Sequence, residues 1–184
     1  AVKNMNMHGE MRFSSLQKVF KAVQNNIKSK NDIKKATDLS WGSCSEIITL
    51  LDEKKVIVTD KSDIQKTGKQ GRIAIRYQFN SKRNLLCGME IRPAEINCSI
   101  STLGKTELFN KSYPHKEELD ENNIFRNISS AFISALVDCG LKSDQVIGLV
   151  IALTGGVEPA TMKWIFSSRI KKIRNLDFQP LLQL

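Results

Sequence analysis

The chain has 184 residues, long enough for one large domain or two small ones, and its 41% hydrophobic and 26% charged residues are ordinary for a globular protein. Its formal charge of +9 is not ordinary: residues 1–83 carry 17 Lys/Arg against 8 Asp/Glu, whereas residues 84–184 carry 11 of each. A basic module joined to a neutral one is what binding of a phosphate backbone by one end requires, and it weighs against a surface that only meets other proteins.

No apolar run reaches the length of a membrane span and the N-terminus lacks a signal-peptide core, so a soluble, cytoplasmic chain with no membrane partner is expected. The four cysteines are widely spaced, without a C-x-x-C or Cys/His cluster. They predict buried free thiols in a reducing compartment, and no cofactor or metal in this stretch.

In chain order, residues 1–12 show no periodicity and are expected to form a mobile arm, whose Lys3 and Arg12 are placed to touch phosphate. Ser14, with Gln17 completing a capping box, predicts a helix start. Leu16, Val19, Phe20, Val23 and Ile27 then make one apolar face. Ser29 and Asp32 predict a second N-cap, opening a helix with Ile33 and Ala36 inward and closed by Leu39. Ser40 caps a third helix, in which Cys44, Ile47, Ile48 and Leu51 recur at helical spacing. Three such helices form a small helix-turn-helix core.

The inward stripe leaves Trp41, Ser43, Ser45 and Thr49 pointing away. Small hydroxyl side chains at the N-terminal end of an outward face suit hydrogen bonds to phosphates and base edges. Trp41 has two readings, a groove contact or a hydrophobic lid on the helix pair. Glu46 also has two: it can accept from cytosine while repelling phosphate, or it sits on the helix flank, solvated or paired with Lys54 or Arg72.

Beyond Leu51, VIVTD and IAIRYQFN read as two strands around the polar, basic loop KSDIQKTGKQGR. Lys66, Lys69 and Arg72 flank Gly68 and Gly71, and the glycines let the loop backbone approach a nucleic acid closely. The pattern describes a wing, against the plainer reading of an exposed hairpin. The candidate DNA-contacting set is therefore Lys30, Ser40, Trp41, Ser43, Ser45, Thr49, Lys66, Lys69, Gly71 and Arg72. No catalytic residue is expected.

NSKRN at 80–84 marks a boundary between residues 1–83 and residues 84–184. LLCGMEIR, EINCSIST and KTELFNKS then predict an antiparallel meander, with turns at Arg92–Pro93–Ala94 and around Gly104. His115 to Cys139 predicts a helix with Ile124, Ile128, Ala131, Phe132, Ala135 and Leu136 on one stripe and Gly140 at its end. VIGLVIAL predicts a central buried strand. A glycine turn, Thr154–Gly155–Gly156, follows it, then a strand in MKWIFSS and a helical or loop segment in LDFQPLLQL. The order βββαβ describes the first lobe of an α/β domain.

Four blocks in this order cover most of residues 14–168: DLSWGSCSEIITLLDEKKVI, GKQGR, LLCGMEIRPAEINCSISTLGKTEL and VIGLVIALTGGVEP. Together they resemble transcription regulators of the repressor–ORF–kinase (ROK) family, the sugar-responsive group that includes xylose and N-acetylglucosamine repressors. The resemblance implies an α+β winged helix-turn-helix, followed by the first lobe of an actin-like, ribonuclease-H-like α/β domain. It also implies an operator in double-stranded DNA, a sugar or phosphosugar effector and a homodimer or higher homo-oligomer.

In family members that are kinases, the first strand of that domain carries D-x-G-G-T, whose glycines close a turn around phosphate. Here Glu90 stands at the place of the Asp, Arg92, Pro93 and Ala94 replace the glycines, and Glu95 puts a negative charge near the place of a phosphate. Pro93 offers no amide donor, so the resemblance implies a regulator without kinase activity. The alternative is a ROK-type sugar kinase with an added DNA-binding domain. The family's E-x-G-H sugar motif and cysteine-rich zinc motif do not occur before Leu184, so the chain is expected to be part of a longer regulator, with any structural zinc in the remainder. By analogy Thr154–Gly155–Gly156 lies near a sugar cleft; the plainer reading is a structural turn.

Overall fold

A computed structural model of the chain describes residues 2–60, 75–179 and 181, with only the backbone described for residues 2–11. Two compact units result: Ala1–Asn84 with Thr102–Thr106, and Leu85–Ser101 with Glu107–Leu184.

The first unit has three helices, α1 (Val2–Gln24), α2 (Lys30–Thr37) and α3 (Trp41–Glu53), and a hairpin of β1 (Ile57–Asp60) and β2 (Arg76–Phe79). α1 corrects the expected arm and the expected cap at Ser14, since the helix is continuous from Val2 and Ser14 lies inside it. The physical reason is propensity: Lys3, Met5, Met7, Glu10 and Met11 are good helix formers, and no proline interrupts the run.

Val19, Ala22 and Val23 of α1, Ile33 of α2, Cys44, Ile47, Ile48 and Leu51 of α3, and Ile57 of β1 form one buried cluster. On α2, Thr37 is buried and Ala36 is exposed, the reverse of the expected facing for Ala36. Thr37 follows Ile33 by four residues and shares its stripe, and its hydroxyl donates to the Ile33 carbonyl at 2.8 Å. The hairpin pairs Ile57 with Phe79 and Asp60 with Arg76. The buried Asp60 carboxylate accepts from Lys28 Nζ at 3.3 Å, tying the strand end to the segment before α2.

The second unit is a four-stranded sheet in the order β5-β4-β3-β6, made of β3 (Leu85–Ile91), β4 (Glu95–Ser101), β5 (Glu107–Pro114) and β6 (Val146–Ala152). The meander is antiparallel as expected, and β6 lies parallel to β3. Leu85, Cys87, Met89 and Ile91 alternate with Ile96, Cys98 and Ile100 across one face, which is buried together with the α4 (Ile124–Asp138) residues Ile124, Ile128 and Ala131. A small antiparallel sheet of β7 (Gly156–Glu158), β8 (Lys163–Phe166) and β9 (Arg174–Asp177) adds Trp164 and Leu176 to the same core.

Three expectations are corrected here. α4 starts at Ile124 and not at His115, because Asp120 and the two asparagines after it close a turn of their own. Asp120 Oδ1 accepts from the Asn122 and Asn123 amides at 2.9 and 3.0 Å, offering the backbone an alternative to the helix. β6 is not central: among the described residues it pairs only with β3, and Ile147 and Val150 are 57% and 64% exposed. A continuous apolar run reports the residues' character and not the strand's position in the sheet. Leu176 and Asp177 end a strand, where a helical or loop segment was expected.

The glycine turn has a structural explanation. Gly155 has φ +114, and a Cβ there would stand 2.1 Å from the Phe166 carbonyl oxygen. The Trp164 indole donates to the Thr154 carbonyl at 3.1 Å, fastening the turn to β8.

The facing of α3 is testable. Ile48→Ala should cost about 2–5 kcal/mol, and Thr49→Ala, one residue on, less than about 0.5 kcal/mol. Urea denaturation followed by far-ultraviolet circular dichroism measures both.

Candidate nucleic-acid interface

The interface is set by two caps and one turn. Ser29 Oγ accepts from the Asp32 amide at 3.2 Å, and its hydroxyl also donates to the Asp32 carboxylate, which starts α2. α2 ends where Asp38 enters the left-handed region with φ +54, a conformation that short polar side chains tolerate. Ser40 then accepts from the Ser43 amide at 3.1 Å and starts α3.

With Cys44, Ile47, Ile48 and Leu51 buried, Trp41, Ser43, Glu46 and Thr49 are exposed and Ser45 is half-buried. Two of the candidates are engaged with each other, since the Ser40 and Ser43 hydroxyls lie 2.9 Å apart. Ser40 and Ser43 therefore build the helix start. Three others form a second group: the Lys30 ammonium donates to Ser45 Oγ and lies 5.3 Å from the centroid of the Trp41 ring. Trp41 itself is 53% exposed. Lys30 meets it as a cation over an aromatic face.

This group places positive charge beside the first turn of α3, where the helix dipole already favours an anion. The same lysine, with Lys34, acts on the thiol behind the helix. Burial pushes the Cys44 thiol up, and the two ammonium groups oppose that shift.

Thr49 lies one turn beyond Ser45, in an open groove of about 550 Å³ along the outer face, lined also by Arg12, Trp41, Gly42 and Glu46. Among the described residues Glu46 pairs with Arg12, at 3.2 Å, and not with Lys54; the other expected partner, Arg72, lies outside them. Sequence reading did not find this pair, because Arg12 fell in the expected arm and a separation of 34 residues leaves no local signal. Lys66, Lys69, Gly71 and Arg72 lie outside the described residues. The strands that flank them, β1 and β2, are paired.

In the second unit, the turn at 92–95 is closed by the Arg92 amide donating to the Glu95 carbonyl at 2.9 Å. The Arg92 guanidinium spans Glu90 at 2.6 Å and Glu95 at 2.9 Å, and Ser112 donates to Glu95 at 3.0 Å. The hydrogen bond from Arg92 holds the Glu90 carboxyl below the usual carboxylate range. Among the described residues, no group of three or more His, Cys, Asp or Glu is placed to hold a metal, and no helix is long and apolar enough to cross a membrane.

No protein-family model and no curated protein matches the chain. Among solved structures it is similar to one described as the crystal structure of a ROK family transcriptional regulator, homolog of E. coli MLC protein. That likeness has a TM-score of 0.64 at 19% identity, covering 93% of this chain and 43% of the other. At that identity the likeness is one of fold. The resemblance read from the sequence thus recurs in three dimensions: the chain has the α+β fold of part of such a regulator and spans less than half of its length.

The cap makes the first prediction about this face. Ser40→Ala should destabilise the first unit by about 0.5–2 kcal/mol. Thermal unfolding monitored by circular dichroism tests it, and an unchanged midpoint would remove Ser40 as the helix start.

Proposed function

We propose that this chain is the DNA-binding portion of a sequence-specific transcription regulator. The observation that carries the reading is the outer face of α3, where Trp41 and Ser45 stand exposed or half-exposed beside the Lys30 ammonium and Thr49 is exposed one turn further on. That face belongs to the part of the chain that holds the whole positive excess. In this reading α3 enters the major groove. Thr49 and Ser45 meet base edges, Lys30 meets phosphate, and Ser40 and Ser43 act through the cap that aims the helix. Lys66, Lys69 and Arg72, with Gly71 allowing close approach, contact the backbone or minor groove as a wing.

The fold likeness to a ROK family transcriptional regulator supports the class. From the resemblance of the four sequence blocks to the sugar-responsive ROK regulators we infer a repressor of carbohydrate-utilisation genes that responds to a sugar or phosphosugar and binds a palindromic operator as a homodimer. The reading is of a binding protein and not of a kinase. At the turn where ROK kinases hold phosphate, the Arg92 guanidinium lies between two carboxylates and Pro93 lacks an amide donor. An ATP titration should therefore give no binding.

The direct test is selection from a randomised duplex library, followed by salt titration on the enriched sequence. Lys69→Ala with Arg72→Ala should weaken binding to every duplex and flatten the dependence of log K on log salt by about 0.9 per lost phosphate contact. Ser45→Ala should instead change the ranking among sequences. A library that enriches no sequence counts against the proposal.

A further inference from the structure

Arg12 and Glu46 carry a second observation on the same face. Arg12 Nη2 lies 3.2 Å from Glu46 Oε1, and the side chains are 65% and 69% exposed. An ion pair so exposed contributes little to folding, so stability does not explain its place. A lone carboxylate in the middle of a DNA-reading face would repel phosphate, whereas the pair is neutral. Gly42, one turn before Glu46, leaves the approach open. It has no positive φ, and a Cβ there would meet nothing nearer than Ser40 Oγ at 4.0 Å, so neither backbone conformation nor packing calls for glycine at that position.

Resting on the reading of α3 as a DNA-reading helix, we propose that Arg12 and Glu46 together read one C·G base pair. Glu46 accepts from the cytosine N4 amino group, and Arg12 donates to guanine O6 and N7. The spacing fits. In the major groove, cytosine N4 and guanine O6 are hydrogen-bonded to each other, about 2.9 Å apart. A carboxylate oxygen and a guanidinium nitrogen 3.2 Å apart can each meet its own base without separating. Arg12 spends one donor on Glu46, and its planar fork has others for guanine. Each side chain also limits the other: Glu46 holds the guanidinium over the groove, and Arg12 cancels the repulsion between Glu46 and the backbone.

The test uses the 184-residue chain and the same randomised duplex library. The enriched sequence should contain a C·G pair whose replacement by T·A weakens wild-type binding about tenfold or more. Arg12→Ala and Glu46→Ala should each abolish the preference at that position and at no other. The double variant should lose no more than either single one, because the two side chains act as one reader. Loss of preference at two different positions, additive losses, or a retained preference in either variant overturns the joint reading while leaving DNA binding intact. A library that enriches nothing with the wild-type chain overturns both this inference and the DNA-reading role beneath it.

Discussion

The first unit depends on the burial of one stripe of α3. Cys44, Ile47, Ile48 and Leu51 pack against Val19 and Val23 of α1 and Ile33 of α2, and this packing fixes the helix in rotation as well as in place. Rotation decides which side chains the helix presents outward. A turn of 100° per residue means that the choice of buried positions also chooses Trp41, Ser45, Glu46 and Thr49 as the outer set. The caps at Ser29 and Ser40 and the left-handed Asp38 then fix where the helix begins and how the chain enters it. The composition of the outer face is thus a by-product of how the core is filled.

The same economy appears in the hairpin. The Asp60 carboxylate is buried, and burying a charge without a partner is costly, so Lys28 holds the strand end in place. An isolated bridge between Ser29 and Arg76 lies beside it. The segment that starts α2 therefore also holds the ends of β1 and β2 at Asp60 and Arg76.

Much of this was legible in the sequence because the signals are local. A serine three residues before its hydrogen-bonding partner, apolar residues spaced three and four apart, and alternation in EINCSIS each describe their own neighbourhood. What escaped was non-local or competitive. Asp120 and its neighbouring asparagines take the backbone away from a helix that composition alone would extend to His115. The edge position of β6 is decided by strand order, which an apolar run does not encode. The Arg12–Glu46 contact joins two helices far apart in the chain, whereas Lys54 lies much nearer Glu46 in the sequence. In the candidate site, the residue types were readable. Their division into cap builders (Ser40, Ser43) and a cation-aromatic group (Lys30, Trp41, Ser45) needed coordinates.

The core of the second unit contains Cys87 on β3 and Cys98 on β4, both buried among apolar side chains. Burial pushes the Cys87 thiol to about 11 and the Cys98 thiol to about 12. Since the thiolate is the species that reacts, on the order of one molecule in ten thousand or fewer is reactive at either position near neutral pH. An oxidant or alkylating reagent thus meets these sulfurs only when the sheet opens. Their loss over time counts openings of the core and not encounters with its surface, so the two thiols work as an internal clock for local unfolding.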